Sequence, residues 1–168
     1  MLLDESSKKP FNVLVLCTGN SARSILAEAL FNKSGDGLFH AFSAGSNPAG
    51  AVNPFALELL QQQGYDCSGF RSKSWDEFAA TDAPKLDLVV TVCSNAAAET
   101  CPAFKGEFKQ VHWGLPDPAE YTNEPERARK AFGEVYSTLK QRIEALVSLE
   151  TEALNRDSLA EAMEALSH

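Results

Sequence analysis

The amino-acid sequence predicts an α/β fold: one domain built on a four-stranded parallel sheet, strand order 2-1-3-4, flanked by helices. Three observations carry this. Four short apolar runs alternate with longer stretches of helical periodicity, the pattern of a parallel sheet with helices on both faces. The first and third runs (FNVLVL and LDLVVTV) are continuously apolar and β-branched, as strands buried on both sides are. Cys17, Cys93 and the loop holding Asp117 each follow one of the runs, which places three reactive groups on the carboxyl rim where such sheets bind ligands.

Residues 1–10 read as a loose tail, and residues 11–16 as the first strand. After the segment CTGNSARS, a helix is expected over 21–33, with Ile25, Leu26, Ala29 and Leu30 on one face and Gly35 and Gly37 ending it. Residues 38–44 (LFHAFSA) form the second strand. Asn53 followed by Pro54 is a helix start, and Gly64 closes that helix after Gln63. Residues 74–80 (SWDEFAA) suggest a short helix capped by Ser74. Residues 86–92 give the third strand, 94–101 an Ala-rich stretch able to be helical, and 108–113 the fourth strand. A long amphipathic helix covers 125–149, so the domain spans 11–150, and residues 151–168 form a C-terminal helical tail.

Composition narrows the function. The 168 residues suit one domain, and 44% hydrophobic content excludes disorder as the default. A formal net charge of -8 argues against nucleic acid as a partner. No run is apolar enough to be a secretory h-region or to span a bilayer, so no membrane partner is expected, and the cytoplasm is the expected compartment. In that reducing setting Cys17, Cys67, Cys93 and Cys101 are read as catalytic, metal-binding or inert rather than as structural bridges. They form no CxxC pair beside a His pair, and no metal is assigned. A monomer is the expected state.

The strongest chemical signal is Cys17-Thr18-Gly19-Asn20-Ser21-Ala22-Arg23-Ser24, a C-x5-R-S segment between a strand and a helix. Successive N–H groups can line a nest for a tetrahedral oxyanion, and a helix N-terminus adds its dipole. Arg23 can hold two oxygens in a fork. The same positive partial charges should lower the pKa of Cys17 and give a thiolate. Ser24 is placed to donate to that sulfur, while Gly19 and Asn20 tolerate left-handed backbone. The bland reading is an inert buried Cys before a helix capped by Ser21.

VLVLCTGNSARSILAEAL resembles the phosphate-binding loop of the low-molecular-weight phosphotyrosine phosphatase family, and FSAGS, VTVCSNAAAETCP and HWGLPDPA resemble its arsenate reductase branch. The resemblance covers about residues 11–148. It implies that Cys17 is the nucleophile and that Asp117, held between Pro116 and Pro118, is the general acid that protonates the leaving oxygen; alone, an Asp before Pro would read as a turn. It further implies a thiol cascade in which Cys93 and Cys101 are the redox pair. Arsenate or a phosphate-like oxyanion is then the ligand, and no cofactor is bound. An external thiol reductant, thioredoxin or glutathione with glutaredoxin, is the partner. Across an intact helix the two sulfurs would be about 12 Å apart along the axis, beyond the about 7 Å between Cα atoms that a disulfide allows. The segment must therefore bend or unwind if they are to bond. Without the resemblance, both are small buried hydrophobes.

Some reductases of this fold hold a potassium ion beside the loop. Asn20, Glu28, Ser43 and Asp76 match positions associated with it, but loop hydrogen bonding and solvated helix surface explain them better, and the ion is not assigned. Two other functions compete. A phosphotyrosine phosphatase needs only Cys17, Arg23 and Asp117, but its relatives place aromatic residues directly after the Asp-Pro pair, where Ala119 and Glu120 stand and Tyr121 comes one step later. A non-catalytic oxyanion sensor would need neither a thiolate nor an acid. Cys67 and His112 are assigned no chemical role.

Overall fold

A computed structural model describes residues 10–35, 37–92, 104, 106–121, 123–149 and 155–166. The Ala-rich stretch with Cys93 and Cys101 lies outside the described residues.

Four parallel strands make the sheet among the described residues: β1 (Phe11–Cys17), β2 (Phe39–Gly45), β3 (Leu88–Thr91) and β4 (Lys109–His112), in the order β2-β1-β3-β4. The central strand is the most apolar. Val13, Leu14, Val15 and Leu16 of β1 have no exposure, so both faces of the sheet are covered there. The edge strand β4 buries only Val111, which is why its sequence (KQVH) is largely polar.

Helix α1 (Arg23–Ser34) returns from the end of β1 and packs on β1, β2 and the long helix α3 (Pro125–Val147). It buries Ser24, Ala27 and Phe31 as well as the expected Ile25, Leu26, Ala29 and Leu30. Helix α2 (Pro54–Gln62) begins where Asn53 caps it by accepting from the Phe55 N–H at 2.9 Å, with Pro54 fixing the first turn. The Ser74 cap also forms, but it opens a single 3₁₀ turn (Trp75–Phe78) rather than an α-helix. That turn has only Phe78 to bury, too little to hold a longer helix.

Helix α4 (Arg156–Ala165) starts in a capping box between Asn155 and Ser158 and lies against β4 and α3. Its Leu159 and Met163 are fully buried in the same core as the strands. Trp113, just past β4, stacks on Phe31 and donates its indole N–H to the Met163 carbonyl at 2.7 Å. The indole thus ties the first helix, the last strand and the last helix together, immediately before the loop that carries Asp117. None of the described helices is long and apolar enough to cross a membrane.

Candidate active site

Cys17 is the last residue of β1, buried at 6% exposure, and pairs in register with Gly45 at the end of β2. The chain then turns through residues 18–22 into α1. Three backbone carbonyls of this turn point outward and are held there. Thr18 accepts from the Asn47 N–H, Gly19 from Ala49 and Ser21 from Asn53, each at 2.9 Å. The Ser72 hydroxyl also donates to the Gly19 carbonyl at 2.9 Å. In a trans peptide unit the N–H points opposite to the C=O. The N–H groups of Gly19, Asn20 and Ala22 are therefore aimed to the inside of the turn, the arrangement of an anion nest.

The start of α1 points the same way. Its N-cap residue is Ala22, and no side chain caps the first turn, so Ser21 is not the cap. Ala22, Ser24 and Ile25 are nevertheless buried. Helix α3 also lacks a side-chain cap, but its start at Glu124 and Pro125 is exposed, where solvent can satisfy the free N–H groups. A buried, uncapped helix start leaves donors that call for a ligand.

Asn20 shapes the turn. It is the one non-glycine among the described residues with positive φ, at 47°. Gly19, by contrast, does not use the left-handed region, so of the two residues that tolerate it only Asn20 adopts it. The fully buried Asn20 amide donates to Ser24 Oγ at 2.8 Å and Ser43 Oγ at 3.0 Å, and accepts from the Lys73 backbone N–H at 2.9 Å. Ser24 accepts from Asn20, which leaves its own hydroxyl proton for a second partner.

Arg23 leans across to the loop after β4. Its Nη1 donates to the Leu115 carbonyl at 2.9 Å, and its Nη2 lies 3.7 Å from Asp117 Oδ2. Its Nε is buried and has no hydrogen-bond partner among the described residues. Since Nη1 is tied, Nε and Nη2 remain as the two-pronged edge that suits an oxyanion. Asp117 accepts from the Ala119 N–H at 3.0 Å, which fixes its rotamer, and its side chain stays 40% exposed. Cys17, the turn, Arg23 and Asp117 thus come together on the carboxyl rim.

Sequence reasoning missed three contributors. Gly45 is needed because a Cβ there would stand 2.4 Å from the Thr18 carbonyl oxygen and 2.9 Å from that of Cys17. The Leu115 carbonyl positions Arg23, and no sequence signal marks a carbonyl. Lys73 was passed over because a lysine in a turn normally reads as solvated. The four residues that match positions of a potassium site do not stay together. Asn20, Glu28 and Ser43 do converge, but Asp76 is exposed and stands apart in the 3₁₀ turn. The Lys73 ammonium, its side chain 9% exposed, lies 3.8 Å from Glu28 Oε1 instead. A cluster that already holds its own cation does not fit a potassium ion.

Cys67 is half-buried, with its sulfur near the Leu57 and Tyr65 carbonyls, and burial pushes its thiol pKa up, which makes it a poor nucleophile. His112 meets the Thr91 hydroxyl at 2.8 Å, a local contact outside the site. Among the described residues no three His, Cys, Asp or Glu side chains gather as metal ligands.

Known proteins are similar to this chain. The family model described as low molecular weight phosphotyrosine protein phosphatase matches residues 12–160. A Halalkalibacterium halodurans protein named arsenate reductase is 37% identical over 131 residues, 78% of this chain and 91% of that one. The solved arsenate reductase of Archaeoglobus fulgidus superposes with a TM-score of 0.59 at 30% identity, covering 82% of this chain and 99% of the other. A thioredoxin-dependent arsenate reductase of Corynebacterium glutamicum gives 0.59 at 26% identity over 85% of this chain, which spans only 63% of that protein's length.

Proposed function

The chain belongs to the low-molecular-weight phosphotyrosine protein phosphatase family, and from that premise we propose that it is an arsenate reductase, turning arsenate into arsenite with Cys17 as nucleophile. The observation that carries the reading is the buried, uncapped start of α1 behind Cys17, with the unpaired Nε of Arg23 beside it. The choice of arsenate rests on the names of the relatives and on Cys93 and Cys101.

In the first step the Cys17 thiolate attacks arsenic and forms an S–As bond. The turn's N–H groups and Arg23 hold the oxygens, where charge builds up. Asp117 gives its proton to the oxygen that leaves as water. In the second step the Cys93 thiolate attacks the sulfur of Cys17. The S–As bonding pair passes to arsenic, which goes from As(V) to As(III), and arsenite departs. Cys101 then attacks the Cys17–Cys93 disulfide at Cys93, returning Cys17 as a thiolate and leaving a Cys93–Cys101 disulfide. An external dithiol of the thioredoxin type, or glutathione with glutaredoxin, reduces that disulfide by exchange. Such a cycle requires a reducing compartment, the cytoplasm.

Arsenate turnover with each reducing system supplied separately tests this. Cys93→Ser should stop arsenite release while sparing hydrolysis of an aryl phosphate. Cys101→Ser should allow a first turnover but block recycling by thioredoxin. Sustained turnover of both variants with thioredoxin alone would end the cascade reading. A weak phosphatase activity is expected beside it. A cleft of about 260 Å³ next to Asp117, lined in part by Leu115, Tyr121 and Val135, offers an aryl group a place. The Tyr121 ring there is pinned by Arg127, 4.2 Å from its centroid.

A further inference from the structure

Behind the oxyanion turn lies a chain of buried polar groups that the cascade does not use. Ser24 and Ser43 both accept from the Asn20 amide, and Ser43 in turn donates a short hydrogen bond to Glu28. All three of Ser24, Ser43 and Asn20 have no exposure. Glu28, on α1, is itself mostly covered, at 16%. Its charge is met by Lys73, which is attached to the cluster twice. The backbone N–H of Lys73 donates to Asn20, and its ammonium faces Glu28 at 3.8 Å while donating to the Arg71 carbonyl at 3.4 Å. The Lys73 carbonyl also accepts from Gly45, whose close approach shapes the turn from the other side. Burial pushes the Glu28 carboxyl up and the Lys73 ammonium down, and each is drawn back toward its charged form by the other.

We propose that Lys73 is the resident cation of this loop: its ammonium, in place of a bound potassium ion, neutralises Glu28 and so holds the Ser43–Asn20–Ser24 chain in the geometry that binds the oxyanion. The inference rests on reading residues 17–24 as an oxyanion site. Its physical basis is that a mostly buried carboxylate without a counter-ion must either take up a proton or draw in a cation. With its proton on, Glu28 no longer needs the Ser43 hydroxyl as a donor, and Ser43 is free to turn away from Asn20. Left ionised and unpaired, its negative charge on α1 opposes the anion at that helix's start. Either way the turn loses its support. A consequence separates this protein from one that recruits a metal: binding does not depend on which monovalent cation is in solution, and removing Lys73 creates such a dependence.

The test measures phosphate affinity by calorimetry and the Cys17 thiolate titration by ultraviolet absorbance, with Cys17→Ser as the blank. Both are run in potassium chloride and in choline chloride at equal ionic strength. Wild type should give the same values in both salts. Lys73→Met in choline should bind phosphate about tenfold more weakly, a loss of about 1.4 kcal/mol, and its Cys17 should form a thiolate at higher pH. Potassium should recover part of both. Lys73→Arg keeps the charge and should stay near wild type in either salt. Lys73→Met combined with Glu28→Gln removes the unpaired carboxylate and should lose the potassium response. If wild type binds no phosphate, the oxyanion reading itself falls. If wild type binds phosphate but responds to potassium, or Lys73→Met binds as tightly as wild type in choline, the oxyanion site stands and the role of Lys73 is refuted. Should Lys73→Met be too unstable in choline for calorimetry, its thermal midpoint decides. A midpoint raised by potassium and not by choline supports the resident cation, and an equal response to both overturns it.

Discussion

The glycine outside the signature segment should matter more than the glycine inside it. Gly45 ends β2 opposite Cys17, and an alanine there would place its Cβ 2.4 Å from the Thr18 oxygen, 2.9 Å from the Cys17 oxygen and 3.0 Å from the Asn20 nitrogen. All three are backbone atoms, so no side chain can rotate away. An ordinary contact at these atoms is about 3.4 Å or more, so the turn must retreat by roughly 1 Å, and a displacement of that size in a reacting site costs about 100-fold in rate. Overpacking of this kind costs about 1–3 kcal/mol, which in a chain of this length lowers Tm by about 2–4 °C per kcal/mol. Gly19→Ala meets only Ser21 Oγ at 3.6 Å and Ala49 Cβ at 4.0 Å, at a φ that alanine accepts. Arsenate kcat/KM, phosphate affinity and Tm should therefore collapse together in Gly45→Ala and change little in Gly19→Ala. A Gly45→Ala protein with wild-type phosphate affinity, or a Gly19→Ala protein as damaged as Gly45→Ala, would refute the reasoning.

Arg23→Lys should nearly abolish turnover, because an ammonium cannot reach the Leu115 carbonyl and still present two donors in a plane to the oxyanion; steady-state kinetics would show it as a loss in kcat rather than in stability. Asn20→Gly keeps the positive φ but removes three hydrogen bonds, two of them buried, and leaving their partners unmatched should cost about 2–4 kcal/mol in chemical denaturation. Trp113→Phe keeps the stack on Phe31 but removes the indole donor to the Met163 carbonyl, which retains the Leu166 N–H at 3.1 Å, so denaturation should show a loss of only about 0.5–1.5 kcal/mol with kcat nearly unchanged. Glu28 holds its proton more tightly folded than unfolded, because burial raises its folded pKa. Its contribution to stability therefore grows as pH falls through that raised pKa toward the ordinary carboxylate range and shrinks as pH rises through it. Glu28→Gln should flatten that acidic limb in a pH series of denaturant midpoints.

What the sequence determined on its own is what depends on neighbours a few residues apart. Continuous β-branched runs marked β1 and β3, since burial on both faces leaves no polar alternate position. Asn53-Pro54 and Ser74 marked starts, because a cap acts on the next two or three N–H groups. The C-x5-R-S segment suggested an oxyanion nest because that chemistry is written in consecutive residues, whereas Asp117 alone reads as a turn and took its acid role from the family resemblance. Parallel strands followed from the alternation of strands and helices, and the order 2-1-3-4 from the order of the motifs along the chain. Tertiary structure decided the rest. The Leu115 carbonyl reaches Arg23 across 92 positions, and the Lys73 N–H reaches Asn20 across 53. Which of Gly19 and Asn20 bends left-handed was settled by the buried partners of the Asn20 amide, and which residue faces Glu28 by the path of residues 71–74 past β2, which puts Lys73 and not Asp76 against it. Such contacts leave no local periodicity, because parallel crossovers bring them together only after the whole sheet has closed.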